Sequence, residues 1–152
     1  MYATYEEADA YVKAYYSSTS SLRIAWEQLS DEDKQVLLNR AEQTIDTMPL
    51  QGYPTKPPKA FPRYPDEANS MEAVKTATIE LAVQGQNEEA QTRFELQRQG
   101  VMSYTIGDLS ETFGGKSDAG IDSFAMSIVL PYLRPWLGGG YKICRPCILR
   151  RR

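Results

Sequence analysis

Four clusters of residues have types and spacings that could do chemistry. Gly114-Gly115-Lys116-Ser117 ends like a phosphate-cradling loop, and Cys144-Arg145-Pro146-Cys147 has dithiol spacing. Asp31-Glu32-Asp33 concentrates three carboxylates, and ten tyrosines are spread along 152 residues. Each has a plainer reading. A phosphate-binding loop requires glycine where Ser110 stands, and a helix that follows in an α/β unit. A redox dithiol wants its first cysteine at a helix N-terminus behind a strand, whereas Cys144 follows a glycine run. Two thiolates supply half of a zinc shell, so reduced, incidental thiols are the simpler reading. The three acids explain themselves as the first turn of a helix behind Ser30. The chain has no histidine, which removes the commonest metal ligand and the commonest general acid or base near neutral pH. The expectation is a protein with no catalytic residues, no metal and no cofactor.

The elements that would position anything else follow from composition and charge. Hydrophobic residues make up 41% and charged residues 24%, enough for one domain with a core of its own. The net charge of −3 argues against a basic surface that grips nucleic acid. That average hides two regions. Residues 1–140 hold twelve Lys/Arg against all twenty Asp/Glu, net −8, while residues 141–152 hold five Lys/Arg and no acid, net +5. The expected organisation is a helical body, 1–140, with a hairpin at about 101–113, and an extended basic tail, 141–152. The N-terminal MYATYEEADAY has no apolar signal core, and the longest apolar stretch, Phe124 to Leu137, is broken by Pro131, Arg134 and Pro135. No membrane association is expected, and the reading is a soluble intracellular domain.

Thr4-Tyr5-Glu6-Glu7 has the form of a capping box. Tyr5, Ala8, Val12 and Tyr15 then fall on one helical face, predicting a helix over 5–16. A short stripe of Leu22, Ala25, Trp26 and Leu29 predicts a second. Ser30 caps a third, with Leu37, Leu38, Ala41, Ile45 and Met48 inward. Six prolines between 49 and 65 predict an extended loop, with Phe61 and Tyr64 plugged into the body. A fourth helix begins near 66–70 with Met71, Val74, Thr78 and Leu81 as its stripe. Gly85 is a possible interruption, and the pattern continues weakly to Gly100 as a projecting segment. Val101–Phe113 changes period, with Gly107-Asp108 suited to a type II′ turn and Ile106 facing Leu109, Tyr104 facing Glu111. A last helix is expected over 122–133. The fold class is mainly α: a small bundle of four to five helices with a β-hairpin and an extended C-terminal tail.

The order and spacing of several pieces resemble the head-to-tail connector (adaptor) proteins of tailed bacteriophages, a family sometimes labelled DnaT-like. The pieces are Met1 to Tyr11, Trp26 to Lys34, Arg40-Ala41 with Ile45-Asp46, Ala60-Phe61-Pro62-Arg63, Met71 to Ala77 with Glu80-Leu81-Ala82, Ser103 to Ser110, and Leu130 to Leu133. Cys144, Cys147 and Arg150-Arg151-Arg152 depart from the pattern. The resemblance implies a non-catalytic structural protein of the virion neck, assembled from host cytoplasm. It implies a homo-oligomer, commonly a dodecameric ring, docked beneath the portal protein and against a tail or head-completion (stopper) protein. Double-stranded DNA would pass through the ring without specific binding, repelled by acidic bodies. The tail residues Tyr141, Lys142, Ile143, Ile148, Leu149, Arg150, Arg151 and Arg152 would dock on the portal. The hairpin residues Tyr104, Ile106, Gly107, Asp108 and Leu109 would face a neighbour or the channel. The alternative is a single-stranded DNA-binding replication protein, which the tail arginines and exposed tyrosines favour and the net charge disfavours. A third reading, redox or metal chemistry at Cys144 and Cys147, is separated from both by a double substitution to serine.

Overall fold

The computed structural model describes residues 1–64, 66–98, 103–106, 109–112 and 124–137, with backbone alone for 97–98 and for 103–106 and 109–112. Its described part is mainly helical, with six helices: α1 (Tyr5–Tyr15), α2 (Ser21–Glu27), α3 (Asp31–Asp46), α4 (Glu67–Gln84), α5 (Glu88–Arg98) and α6 (Phe124–Leu133).

Local chemistry sets the helix starts. The Glu7 amide donates to Thr4 Oγ1 at 3.4 Å and the Thr4 amide to Glu7 Oε2 at 3.1 Å, a reciprocal capping box. The Asp33 amide donates to Ser30 Oγ at 3.1 Å, and Asp31, Glu32 and Asp33 occupy the first turn of α3. There their charge meets the positive end of the helix dipole, which accounts for this acidic cluster without any catalytic role.

Helix α4 is the centre of the fold and packs against α3 and α6. Its second half is buried continuously from Ala77 to Val83, so it has no single apolar stripe. A helix surrounded by partners on several sides is apolar nearly all round. Ala8 and Val12 of α1, Trp26 of α2, Leu38, Ala41 and Ile45 of α3, and Ile128, Val129 and Leu133 of α6 complete the core. Asp9 ties three helices together: it accepts from Trp26 Nε1 at 2.8 Å and pairs with Lys34 Nζ at 3.0 Å.

Three expectations need correction. The bundle has six helices rather than four to five, because the projecting continuation of α4 is a separate helix. The α4 ladder closes at Gly85, whose amide donates to the Leu81 carbonyl, and Asn87 opens α5 by accepting from the Ala90 amide at 3.0 Å. Tyr15 is exposed and stacks on Tyr11 at 4.5 Å between ring centroids, while Tyr16 is the residue that turns inward to Glu80. Tyr64 is exposed as well, since the ribbon described below turns it outward.

Strands β1 (Ser103–Ile106) and β2 (Leu109–Thr112) pair antiparallel in the backbone, Ile106 opposite Leu109 and Ser103 opposite Thr112. The turn at Gly107-Asp108 and the side-chain faces of this ladder lie outside the described residues, and the fold established here is the helical one. No helix among the described residues is long and apolar enough to cross a membrane.

Candidate functional site

The described residues do not assemble the site expected from sequence. Tyr141, Lys142, Ile143, Ile148, Leu149, Arg150, Arg151 and Arg152 lie outside them, as do Gly107 and Asp108. For Tyr104, Ile106 and Leu109 the backbone ladder alone is described.

The surface that stands out is built by residues 50–64. Six prolines from Pro49 to Pro65 forbid a helix, so the backbone groups there must be satisfied another way. They are met by a narrow ribbon. Pro54 bridges Arg63 antiparallel, the Thr55 amide donates to the Pro62 carbonyl at 2.9 Å, and the Tyr64 amide donates to the Tyr53 carbonyl at 3.1 Å. This register sets Tyr53 directly opposite Tyr64, on the face away from Arg63, because side chains alternate along paired strands. Tyr53 is 82% exposed and Tyr64 66%, whereas Arg63 is 5% exposed.

Arg63 holds the ribbon from within. Its Nε donates to the Gln51 carbonyl at 2.9 Å and Nη1 to Ala60 at 2.9 Å. Nη2 donates to Leu50 at 3.3 Å and to Gly52 at 2.6 Å. Burial lowers the pKa of this guanidinium from its ordinary value. Gly52 has φ of +84°, the left-handed region where a Cβ is strained, and the turn it makes delivers Tyr53 to the outer face. Phe61 is the ribbon's anchor in the core, edge-on to Tyr2 at 6.1 Å and to Trp136 at 5.9 Å between ring centroids. The Tyr2 hydroxyl donates to Asp46 and accepts from the Phe61 amide at 3.1 Å. Lys59 pairs with Glu42 and Asp46, which draws it toward α3.

The charge around this ribbon differs from the body's. Residues 47–65 contain Lys56, Lys59 and Arg63 and no acid, in a chain of net −3. Elsewhere Arg23, Lys34, Lys75 and Arg93 are each paired with a carboxylate. Among the described residues Lys13, Arg40, Lys56 and Arg63 carry no ion pair. Sequence reasoning passed over Tyr53 and Lys56 and assigned Tyr64 to packing. The acid-free run with interleaved tyrosines and cations was the available signal, and the whole-chain charge masked it.

The chain also leaves the helical body beside this ribbon. Leu137 bridges Leu50, and the Gln51 amide donates to the Trp136 carbonyl at 2.6 Å. The first basic residue of the tail, Lys142, is therefore five residues from a point fixed on the ribbon. A hollow of about 480 Å³ lies elsewhere, between α3, α4, α5 and α6. Its floor includes Leu37, Leu81 and Phe124, and Arg40, Glu88 and Glu95 stand at its rim, a mixture of charges that selects no ligand class.

A second polar cluster holds the body together. Glu80, buried in α4, accepts from the Tyr11 hydroxyl at 2.7 Å and the Tyr16 hydroxyl at 2.6 Å, and also from the Gln84 amide. Burial first, and the bond to Glu80 second, push the Tyr11 and Tyr16 phenols well above the ordinary tyrosine range.

Compared with known families, residues 1–150 match a family model described as "Putative DnaT-like ssDNA binding protein". No curated protein and no solved structure matches the chain. The family's description overturns the connector expectation. A dodecameric ring beneath a portal, a stopper partner, a place in the virion neck and passive passage of double-stranded DNA are not what this family is described by. The alternative weighed beside it, binding of single strands, is. The connector reading rested on the order and spacing of short sequence pieces; the chain-wide acidity weighed against the single-strand alternative sits on the helices and is absent from the ribbon.

Proposed function

The chain belongs to the family described as "Putative DnaT-like ssDNA binding protein", and from that premise we propose that it binds single-stranded DNA through the outer face of the proline-rich ribbon. Tyr53 and Tyr64 offer two neighbouring aromatic faces on which unpaired bases stack, and Lys56 offers a cation to the phosphates. Stacking on aromatic side chains beside positive charge is how proteins hold single strands without reading sequence. A duplex keeps its base faces buried, so the ribbon discriminates against it. The observation that carries this reading is the exposed Tyr53–Tyr64 pair in a segment free of acids.

The tail extends the site. Lys142, Arg145, Arg150, Arg151 and Arg152 bring five cations and no acid to residues 141–152, and their role in this proposal is to meet phosphates of the bound strand. Body 1–140 and tail 141–152 thus work as platform and electrostatic arm. No covalent step, metal or cofactor is part of this function.

The test is fluorescence anisotropy with a labelled oligothymidylate of about 16 nucleotides, set against a duplex of equal length across a salt series. The strand is expected to bind more tightly than the duplex and to weaken as salt rises. Tyr53→Ala and Tyr64→Ala are each expected to reduce affinity by roughly 5- to 150-fold, the range for loss of one stacked base. Equal affinity for strand and duplex, or full binding by the double variant, would reject the reading.

A further inference from the structure

We infer that Arg63 is the positioning residue of this single-strand site: it never touches DNA and acts by holding Tyr53 and Tyr64 side by side before a strand arrives. The inference rests on the reading just proposed. An arginine 5% exposed, with no carboxylate partner, is an unusual use of a charge, and its bonds say what it is for.

Three of its four acceptors, Leu50, Gln51 and Gly52, are consecutive carbonyls on the strand leading into Tyr53. The fourth, Ala60, lies on the strand leading into Tyr64. The Arg63 amide meanwhile donates to Ser70 Oγ at 3.1 Å, fixing the ribbon to the first turn of α4. The guanidinium thus joins the two strands at the base of the platform, through Gly52 next to Tyr53 on one strand and Ala60 on the other. A ribbon with so many prolines has few ladder hydrogen bonds of its own, and the planar fork of Arg63 supplies the cross-links they would have made. Leu50 is also the residue bridged to Leu137, so the same fork holds the point from which the basic tail departs.

This arrangement separates positioning from contact. A lysine at this place keeps the charge but has neither the planar fork nor the span to reach both strands. The two tyrosines would then be ordered at the moment of binding, which weakens every base-dependent interaction and leaves phosphate contacts alone.

The experiment compares wild type, Arg63→Lys and Gly52→Ala against oligothymidylate and against an abasic phosphodeoxyribose strand of the same length. Each variant is checked for cooperative thermal unfolding. Gly52→Ala disturbs the same ribbon through its positive φ without altering any charge, so it serves if Arg63→Lys does not fold. The expected result is that the ratio of oligothymidylate to abasic affinity falls by roughly 5- to 150-fold in each folded variant, the cost of ordering two side chains on binding. Abasic affinity and the salt slope are expected to stay as in wild type. An unchanged ratio in the folded variants overturns the inference. A fall in abasic affinity or in the salt slope for Arg63→Lys overturns it too, because Arg63 would then be a phosphate contact. If wild type itself does not prefer the base-bearing strand, the failure belongs to the proposed function instead.

Discussion

Tyrosine is used in two opposite ways in this molecule. Inside the helical body, Tyr2, Tyr11 and Tyr16 point their hydroxyls at carboxylates, Asp46 for the first and Glu80 for the other two. On the ribbon, Tyr53 and Tyr64 turn their rings outward. The body takes the polar end of the side chain and uses it to satisfy partly or fully buried carboxylates. The ribbon takes the aromatic face. One residue type therefore serves stability in one region and recognition in the other, and substitutions should separate the two.

The largest effect is expected in the body. Glu80→Ala strips the shared carboxylate from the half-buried Tyr11 and Tyr16 phenols and from Gln84, leaving Tyr16 only its 3.4 Å contact with Gln84. Hydrogen bonds to a charged group contribute about 1.5–3 kcal/mol each, and buried donors left unpaired are costly, so a loss of roughly 3–5 kcal/mol is expected. Urea denaturation measures it. Oligothymidylate affinity of the molecules that remain folded should not move. If it falls as steeply as stability, body and ribbon are not separate.

The mirror experiment is the ribbon pair. Tyr53→Ala with Tyr64→Ala should leave unfolding free energy within about 0.5 kcal/mol of wild type, as surface changes do. It should weaken the single strand by about 2 kcal/mol or more. A large stability loss would mean that the exposed rings support the fold after all.

Removal of residues 141–152 sharpens the division between stacking and charge. With five cations gone, the slope of log affinity against log salt should become shallower by up to about 3.5, since each phosphate contact on a single strand contributes about 0.7. The ratio of oligothymidylate to abasic binding should be retained. If the slope is unchanged, the tail does not meet phosphates.

Alkaline titration probes the buried tyrosines. Folding raises the pKa of Tyr2, Tyr11 and Tyr16, through burial first and the carboxylate bonds second. Groups raised in the folded state contribute stability that is complete below the ordinary tyrosine pKa of about 10 and is lost as pH rises beyond it. Absorbance of ionised tyrosine should therefore show these phenols titrating together with unfolding, and Tyr11→Phe with Tyr16→Phe should remove part of that alkaline dependence. The smallest effect is at the surface. Lys75→Ala removes an exposed pair with Glu7, 2.6 Å apart, and is expected to cost roughly 0.3 kcal/mol.

Local signals read well where neighbouring residues carry them. Thr4 and Glu7 define the start of α1, and Ser30 with its three acids defines the start of α3, because a capping interaction spans three residues. The proline density of 49–65 excludes a helix, and the aromatic Phe61 is buried as its type suggests. Tyr64, three residues on, is exposed, and nothing in local periodicity separates the two. Their fates depend on the pairing of Pro54 with Arg63 and on the contacts Phe61 finds with Tyr2 and Trp136. Tyr15 fits the helical stripe of α1 by spacing but is exposed, while its neighbour Tyr16 is the one that reaches Glu80 of α4. The Glu80 cluster was equally hidden, since Glu80 lies more than sixty residues along the chain from both Tyr11 and Tyr16. The single-strand alternative was set second to the connector resemblance for a related reason. Net charge is a property of the whole chain, whereas binding is decided by the few residues on one surface.

What the amino-acid order settles by itself is whatever acts within a few residues: where most helices begin, where prolines forbid them, and where acids are missing. Which tyrosines are buried at carboxylates and which stand in solvent was decided only by tertiary structure. A side chain's exposure depends on the segments that happen to cover it. Here the deciding contacts join Tyr2 to Phe61, Tyr11 to Glu80 and Arg63 to the carbonyls around it, and the first two of these link parts of the chain that local pattern cannot connect.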